Sequence, residues 1–152
     1  MLSKRSICIF CGILGCLFLF SIALTPVNAA DTTEQIIKQI DDILKENPLK
    51  PGEKAQTIKI AEDNTATVLV LRLLEGVEVK SHFHKTHDEI VVFIKGRGQT
   101  TIGDKTMDMK PGTIHFNPMG KVHATKNIGN EPLVVISIFT PAMRELDRQF
   151  VQ

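Results

Sequence analysis

Residues 76–96 read GVEVKSHFHKTHDEIVVFIKG, placing His82 and His84 two positions apart and Glu89 five further on, at the head of the apolar run IVVFI. Alternate residues of a strand project to the same face, so His82 and His84 point together while Phe83 points away. Two imidazoles side by side, with a carboxylate arriving on the next strand, make three ligands of the kind that first-row transition metals prefer. A fourth has to come from elsewhere in the chain.

Around this stretch, from about residue 55 onward, short β-rich runs alternate with turns. The runs lie at 55–61, 65–74, 77–84, 89–95, 97–102, 105–109, 113–117, 122–127 and 132–139. Asp63-Asn64, Glu75-Gly76, Gly103-Asp104, Pro111-Gly112 and Gly129-Asn130 are among the turn pairs that separate them. Many strands at short, even spacing, with no helix between them, indicate an all-β barrel or a two-sheet jelly roll. The runs VLVLRLL and LVVISIF are apolar on both faces. One face can fill an interior; the other must meet a second layer, either the N-terminal helix or another subunit.

A second informative stretch, Gly112–Asn127, reads GTIHFNPMGKVHATKN. Pro118 and Gly120 make a tight turn, and His123 follows at the start of the next strand. Such a hairpin could return His123 to the space of His82, His84 and Glu89.

These two stretches resemble the cupin family. Its first motif, Gly-x5-His-x-His-x3–4-Glu-x6-Gly, is matched by Gly76, His82, His84, Glu89 and Gly96, and its second, Gly-x5-Pro-x-Gly-x2-His-x3-Asn, by Gly112, Pro118, Gly120, His123 and Asn127. The motifs span 76–127, and the strand pattern extends the resemblance to about 55–140; the helix at 33–47 and the tail lie outside it. The resemblance implies a double-stranded β-helix, a cupin-type jelly-roll barrel, over residues 51–141. It also implies one divalent metal held by His82, His84, Glu89 and His123. Three imidazoles and a carboxylate suit Zn, Fe, Mn, Ni, Co or Cu without choosing among them. An octahedral metal would keep two adjacent positions open, whereas a tetrahedral zinc with all four engaged would be closed. Gly96 and Gly120 suit positive φ or close backbone approach, Pro118 fixes the turn, and Asn127 is expected to bond backbone.

At 152 residues the chain fits one domain with a sizeable core. It has no Trp or Tyr, so that core rests on Val, Ile, Leu and Phe. The formal charge is +1, and Lys4 and Arg5 are the only charged residues among the first thirty. No basic stripe remains, which argues against nucleic acid as a partner. Cys8, Cys11 and Cys16 all sit in the N-terminal apolar run and read as thiols of a targeting segment.

Residues 1–29 have the layout of a signal peptide: a basic start, an apolar stretch from Ile7 to Leu24, and the small-residue exit Val27-Asn28-Ala29-Ala30. Cleavage is expected after Ala29 or Ala30. The alternative is an uncleaved anchor, the one way this chain would meet a membrane. Either reading exports the rest, to the periplasm or beyond. Residues 31–50 are an amphipathic helix and linker, with Ile36, Ile37, Ile40, Ile43 and Leu44 at helical spacing and Thr32 or Thr33 as cap. The tail 142–152 is weakly amphipathic and reads as a short helix.

Several further residues are candidates. His87, in the turn of HKTHDE, is expected to face solvent rather than to serve as a fifth ligand. His115 is expected either to line the pocket or to be buried with a backbone partner. Arg72 interrupts VLVLRLL; it could bind a substrate carboxylate or pair with an acid such as Glu78. Gln99 and Thr101 are weaker pocket candidates. The expected function is a metal-dependent enzyme on a small oxygen-rich substrate, with oxygenase, isomerase, decarboxylase and lyase types unresolved. The alternative is a non-catalytic, metal-dependent ligand-binding protein. A homodimer is expected in either case.

Overall fold

A computed structural model of the chain describes residues 36–143, 145 and 147–151. The signal or anchor segment 1–29 and the candidate caps Thr32 and Thr33 lie outside the described residues. All nine expected strands form, each within two residues of its expected bounds. They are β1 (Ala55–Glu62), β2 (Thr67–Leu73), β3 (Glu78–His84), β4 (Asp88–Lys95), β5 (Gly98–Ile102), β6 (Lys105–Met109), β7 (Ile114–Asn117), β8 (His123–Asn127) and β9 (Leu133–Thr140). A tenth, β10 (Arg148–Phe150), corrects the expectation of a helical tail. Its three residues pair with β3, setting Arg148 opposite His84 and Phe150 opposite His82, and that ladder outweighs the tail's weak helical pattern.

The strands make two five-stranded antiparallel sheets, ordered β1-β2-β9-β4-β7 and β10-β3-β8-β5-β6. This is the expected jelly roll. Alternation divides its interior into two ends. Leu73, Phe93 and Leu133 are almost fully buried and, with Val91, Met109 and Val135, pack one end dry. Glu89 stands opposite Phe139, four residues along β4 from the Phe93–Val135 pair, towards the other end. Gly96 and Gly98 allow this packing: a Cβ on Gly96 (φ 78°) would meet the Pro132 carbonyl oxygen at 2.7 Å, and one on Gly98 would meet the Phe93 ring at 2.8 Å.

The helix is shorter than expected: α1 runs Ile40–Glu46, with no side-chain cap at Gln39. A seven-residue helix is marginal alone and forms where packing holds it. Ile43 is buried, whereas Ile36 and Ile37 are exposed and gain nothing from extending the helix. Asn47 caps the C-terminal end by donating from Nδ2 to the Ile43 carbonyl. The helix contributes to the second layer that the two-sided apolar strands require, tied to β2 by an Arg72–Asn47 bond and to β4 by a Lys95–Asp41 ion pair. Ile114 and Phe116 on the edge strand β7 remain exposed.

Candidate metal centre

His123 returns to the other ligands, but not by the expected hairpin: β7 and β8 lie in different sheets, and the Pro118–Gly120 turn carries the chain across from one to the other. His123, first residue of β8, stands directly opposite His82 of β3, and His84 lies on the same face two residues on. One possible ligand atom from each of the three imidazoles falls within 4.8 Å of the others, and all three residues are buried. Glu89 reaches them from the facing sheet, its Oε2 lying 3.1 Å from His123 Nε2 and 3.9 Å from His84 Nε2. All four expected site residues converge at one point between the sheets.

The ring nitrogens are unequally used. His82 Nδ1 lies 2.8 Å from the Lys80 carbonyl oxygen, His123 Nδ1 lies 2.9 Å from that of Lys121, and His84 Nδ1 lies 2.9 Å from Asp147 Oδ1. Carbonyl and carboxylate oxygens only accept, so each Nδ1 carries the hydrogen and donates. Every Nε2 is thereby left as a lone pair turned inward. Those of His84 and His123 are buried without a hydrogen-bond partner. A lone pair facing a carboxylate oxygen at 3.1 Å is unfavourable unless a cation lies between them. A proton would satisfy one such pair; a metal ion would satisfy all the inward-facing atoms together. Ligands about 2.1 Å from a metal stand about 3–4 Å apart, the range of the two His–Glu distances. The donor set therefore fits a divalent transition metal.

Burial disfavours the charged form of two of the imidazoles, His82 and His84. Burial lowers His82 from 6.5 to about 4, outweighing its bond to Lys80, and the nearby charges of His123, Arg148 and His84 act in the same direction. Burial also lowers His84, against the pull of Asp147 and Glu89. For Glu89, burial pushes upward, but a proton standing between it and His123 Nε2, in place of a metal, together with the bonds from Asn117 and Ser137, holds the carboxyl at about 2. Asn117 donates from Nδ2 to Glu89 Oε2 at 2.9 Å.

The other candidates sort differently. His87 is buried, contrary to expectation: its Nδ1 lies 2.9 Å from both Asp147 Oδ2 and Thr86 Oγ1, and its Nε2 is 3.3 Å from the Ala142 carbonyl. Both ring nitrogens are occupied, so it is no fifth ligand. His115 neither lines the cavity nor finds a backbone partner; it sits behind Glu89, its Nε2 receiving Asn117 Nδ2 at 3.3 Å. Arg72 faces away from the cavity that Leu69 and Leu71 line, and its guanidinium donates to Asn47 O at 2.6 Å and to Gln56 Oε1. Gln99 pairs with Asp108 and Thr101 with Thr106 on the surface, outside the cavity. Asn127 behaves as expected: buried, it donates to the Leu73 and Glu131 carbonyls and accepts from Gly129 N–H.

Sequence reasoning missed Asn117, Ser137, Asp147 and Arg148. Asn117 falls opposite Glu89 only because β4 pairs with β7 across the intervening β5 and β6, a pairing that no local turn signal discloses. Asp147 and Arg148 had no signal either. Asp147 bonds His84 and accepts from the Thr86 N–H at 2.7 Å and hydroxyl at 2.6 Å; burial pushes its carboxyl up, but Thr86, His84 and His87 hold it well below the usual carboxylate range.

The model of the cupin domain family matches residues 69–139. An uncharacterized protein of Aquifex aeolicus is 32% identical over 107 residues, covering 70% of this chain and 84% of that protein. The chain belongs to the cupin superfamily. The cupin is also 42% identical over 94 residues to a glucose-6-phosphate isomerase of Pyrococcus furiosus, covering 55% of this chain but only 50% of the isomerase. It thus spans about half the length of that relative. In three dimensions it resembles a double-stranded β-helix protein of Klebsiella pneumoniae (TM-score 0.63, 24% identity, 74% of this chain and 95% of that one). It also resembles KdgF from Halomonas (TM-score 0.60, 18% identity, 71% and 94%). Both likenesses concern the fold.

Proposed function

We propose that this cupin holds one divalent transition metal through the Nε2 atoms of His82, His84 and His123 and the carboxylate of Glu89, and acts on a small oxygen-rich molecule in the adjoining cavity. The observation that carries the reading is the uniform division of labour in the imidazoles, each Nδ1 donating outward and each Nε2 bare and inward. A metal bound there would supply Lewis-acid polarisation of a substrate oxygen. The protein's part is to orient and to exclude water. The Lys80 and Lys121 carbonyls and Asp147 fix the rings, Asn117 and Ser137 aim Glu89, and Leu69, Leu71, Val91 and Val135 wall the cavity with apolar surface.

Isomerisation of a sugar phosphate is the reaction class to test first, because relatives at 42% and 35% identity carry the name glucose-6-phosphate isomerase. Such a reaction moves a proton between neighbouring carbons. Glu89, held at about 2, is a poor base while it keeps its partners, so moving that proton requires its release from Asn117, Ser137 and His123. The same locked carboxylate supports the second reading, a protein that uses metal and cavity to capture a ligand without turning it over. Incubating metal-loaded protein with glucose 6-phosphate and following fructose 6-phosphate by NMR separates the two. Turnover above the metal-free control supports the enzyme; binding without turnover supports capture. Neither turnover nor binding removes this substrate class.

We also propose that residues 1–29 direct export and are removed after Ala29 or Ala30. N-terminal sequencing of the mature protein tests this, and a mature chain beginning at Met1 would overturn cleavage.

A further inference from the structure

The charge facing the cavity comes from the tail. Arg148 of β10 stands opposite His84 in the β10–β3 ladder, and cross-strand partners present their side chains to the same face. Arg148 accordingly lines the cavity together with His82, Glu89 and His123. Its Nε is buried without a hydrogen-bond partner, and among the described residues no carboxylate forms an ion pair with it. Glu89 contributes only a longer-range attraction, its Oε2 being engaged by Asn117 and His123. A guanidinium nitrogen buried without an acceptor is costly, and an acceptor from outside the fold would meet it. Arg72 likewise leaves its Nε buried without a partner, but it faces away from the cavity and its Nη2 donates to Asn47 O and Gln56 Oε1, whereas Arg148 lines the cavity.

Position adds to this. The inner cavity beside the imidazoles is small, about 40 Å³, and Arg148 also lines a wider recess of about 320 Å³ between β1, β2, β3 and β10. Thr57, Leu71 and Val79 line both spaces as well, so the guanidinium stands where one passes into the other. A divalent metal, the Glu89 carboxylate and Arg148 sum to a positive cavity walled by apolar side chains, which concentrates anions.

We infer that Arg148 is the anion-recognition residue of this site: the ligand is a small oxyanion whose carboxylate or phosphate is gripped by the Arg148 fork while a second oxygen reaches the imidazole cluster. The planar guanidinium matches either group with two parallel hydrogen bonds. This rests on the metal reading above, and the experiment separates the two. Metal-loaded wild-type protein is titrated calorimetrically with glycolate, inorganic phosphate and the neutral analogue ethylene glycol, and the titrations are repeated with Arg148→Gln and Arg148→Lys after metal content is measured. Wild type should bind at least one anion tenfold or more tightly than ethylene glycol, and the preferred anion identifies the group. Arg148→Gln should lose tenfold or more of that affinity with its metal retained, and Arg148→Lys should recover part of it. Undiminished anion binding in Arg148→Gln overturns the inference while leaving the metal centre intact. Failure of wild type to hold metal overturns the reading beneath it. Should Arg148→Gln not fold, the wild-type comparison still decides, because equal affinity for charged and neutral probes contradicts the inference.

Discussion

His82 and His84 lie one pleat apart on β3, yet they are oriented by different parts of the molecule. His82, like His123, donates to the carbonyl two residues upstream on its own chain, an acceptor that exists as soon as the strand does. His84 donates to Asp147, 63 positions away in the tail. The first arrangement is local and cannot be removed by changing a side chain. The second is complete only when the tail docks, which it does through the β10–β3 ladder and a bond from Val151 N–H to the Ser81 carbonyl. One short strand therefore delivers both the carboxylate that orients His84 and the guanidinium that faces the ligand. The barrel builds most of the site; the tail finishes it.

The largest effect is expected at the remote anchor. Asp147→Ala should weaken metal binding about 10–100-fold, as loss of an outer partner of a ligating histidine does elsewhere, measured by competition with a chromogenic chelator. An unchanged affinity would put His84 on the same footing as the locally anchored rings. Next comes pH. His82 in the folded protein protonates at about 4 against 6.5 when unfolded, so between these values the unfolded chain binds more protons. Chelator-treated protein should lose stability as pH falls from about 6.5 towards 4, read from urea midpoints, with no such slope above pH 7. His87→Ala should keep its metal and lose about 1 kcal/mol of stability, because Asp147 retains Thr86 and His84 as partners. Loss of metal in that variant would show that the tail anchor needs His87 as well. The smallest effect belongs to the local anchors: Lys80→Ala and Lys121→Ala remove side chains whose backbones alone are used, so metal affinity should stay within about twofold of wild type.

The same local-versus-remote division decides what the sequence discloses. Strand periodicity and turn residues act over a few positions, so nine strands were legible, whereas the convergence of His82, His84, Glu89 and His123 was implied by the resemblance to the cupin motifs. The β10 strand was not, because three residues reading Arg-Gln-Phe carry no alternating signal of their own and are held by pairing with β3. The helix was overread because its apolar spacing continues through Ile36 and Ile37, where the fold offers nothing to bury them. Arginine was misplaced for a related reason. A charge inside VLVLRLL looks like a site, yet its neighbours across β1 and at the helix end supply its partners, whereas Arg148 sits in an unremarkable polar tail and faces the cavity.

The central claim is a metal held by the inward-facing imidazoles and Glu89, and elemental analysis of protein purified from its native compartment tests it most directly. Wild type should carry one equivalent of a divalent transition metal, and His82→Ala and His123→Ala, folded by circular dichroism, should each lose most of it. Equal metal content in wild type and both variants would contradict the assignment.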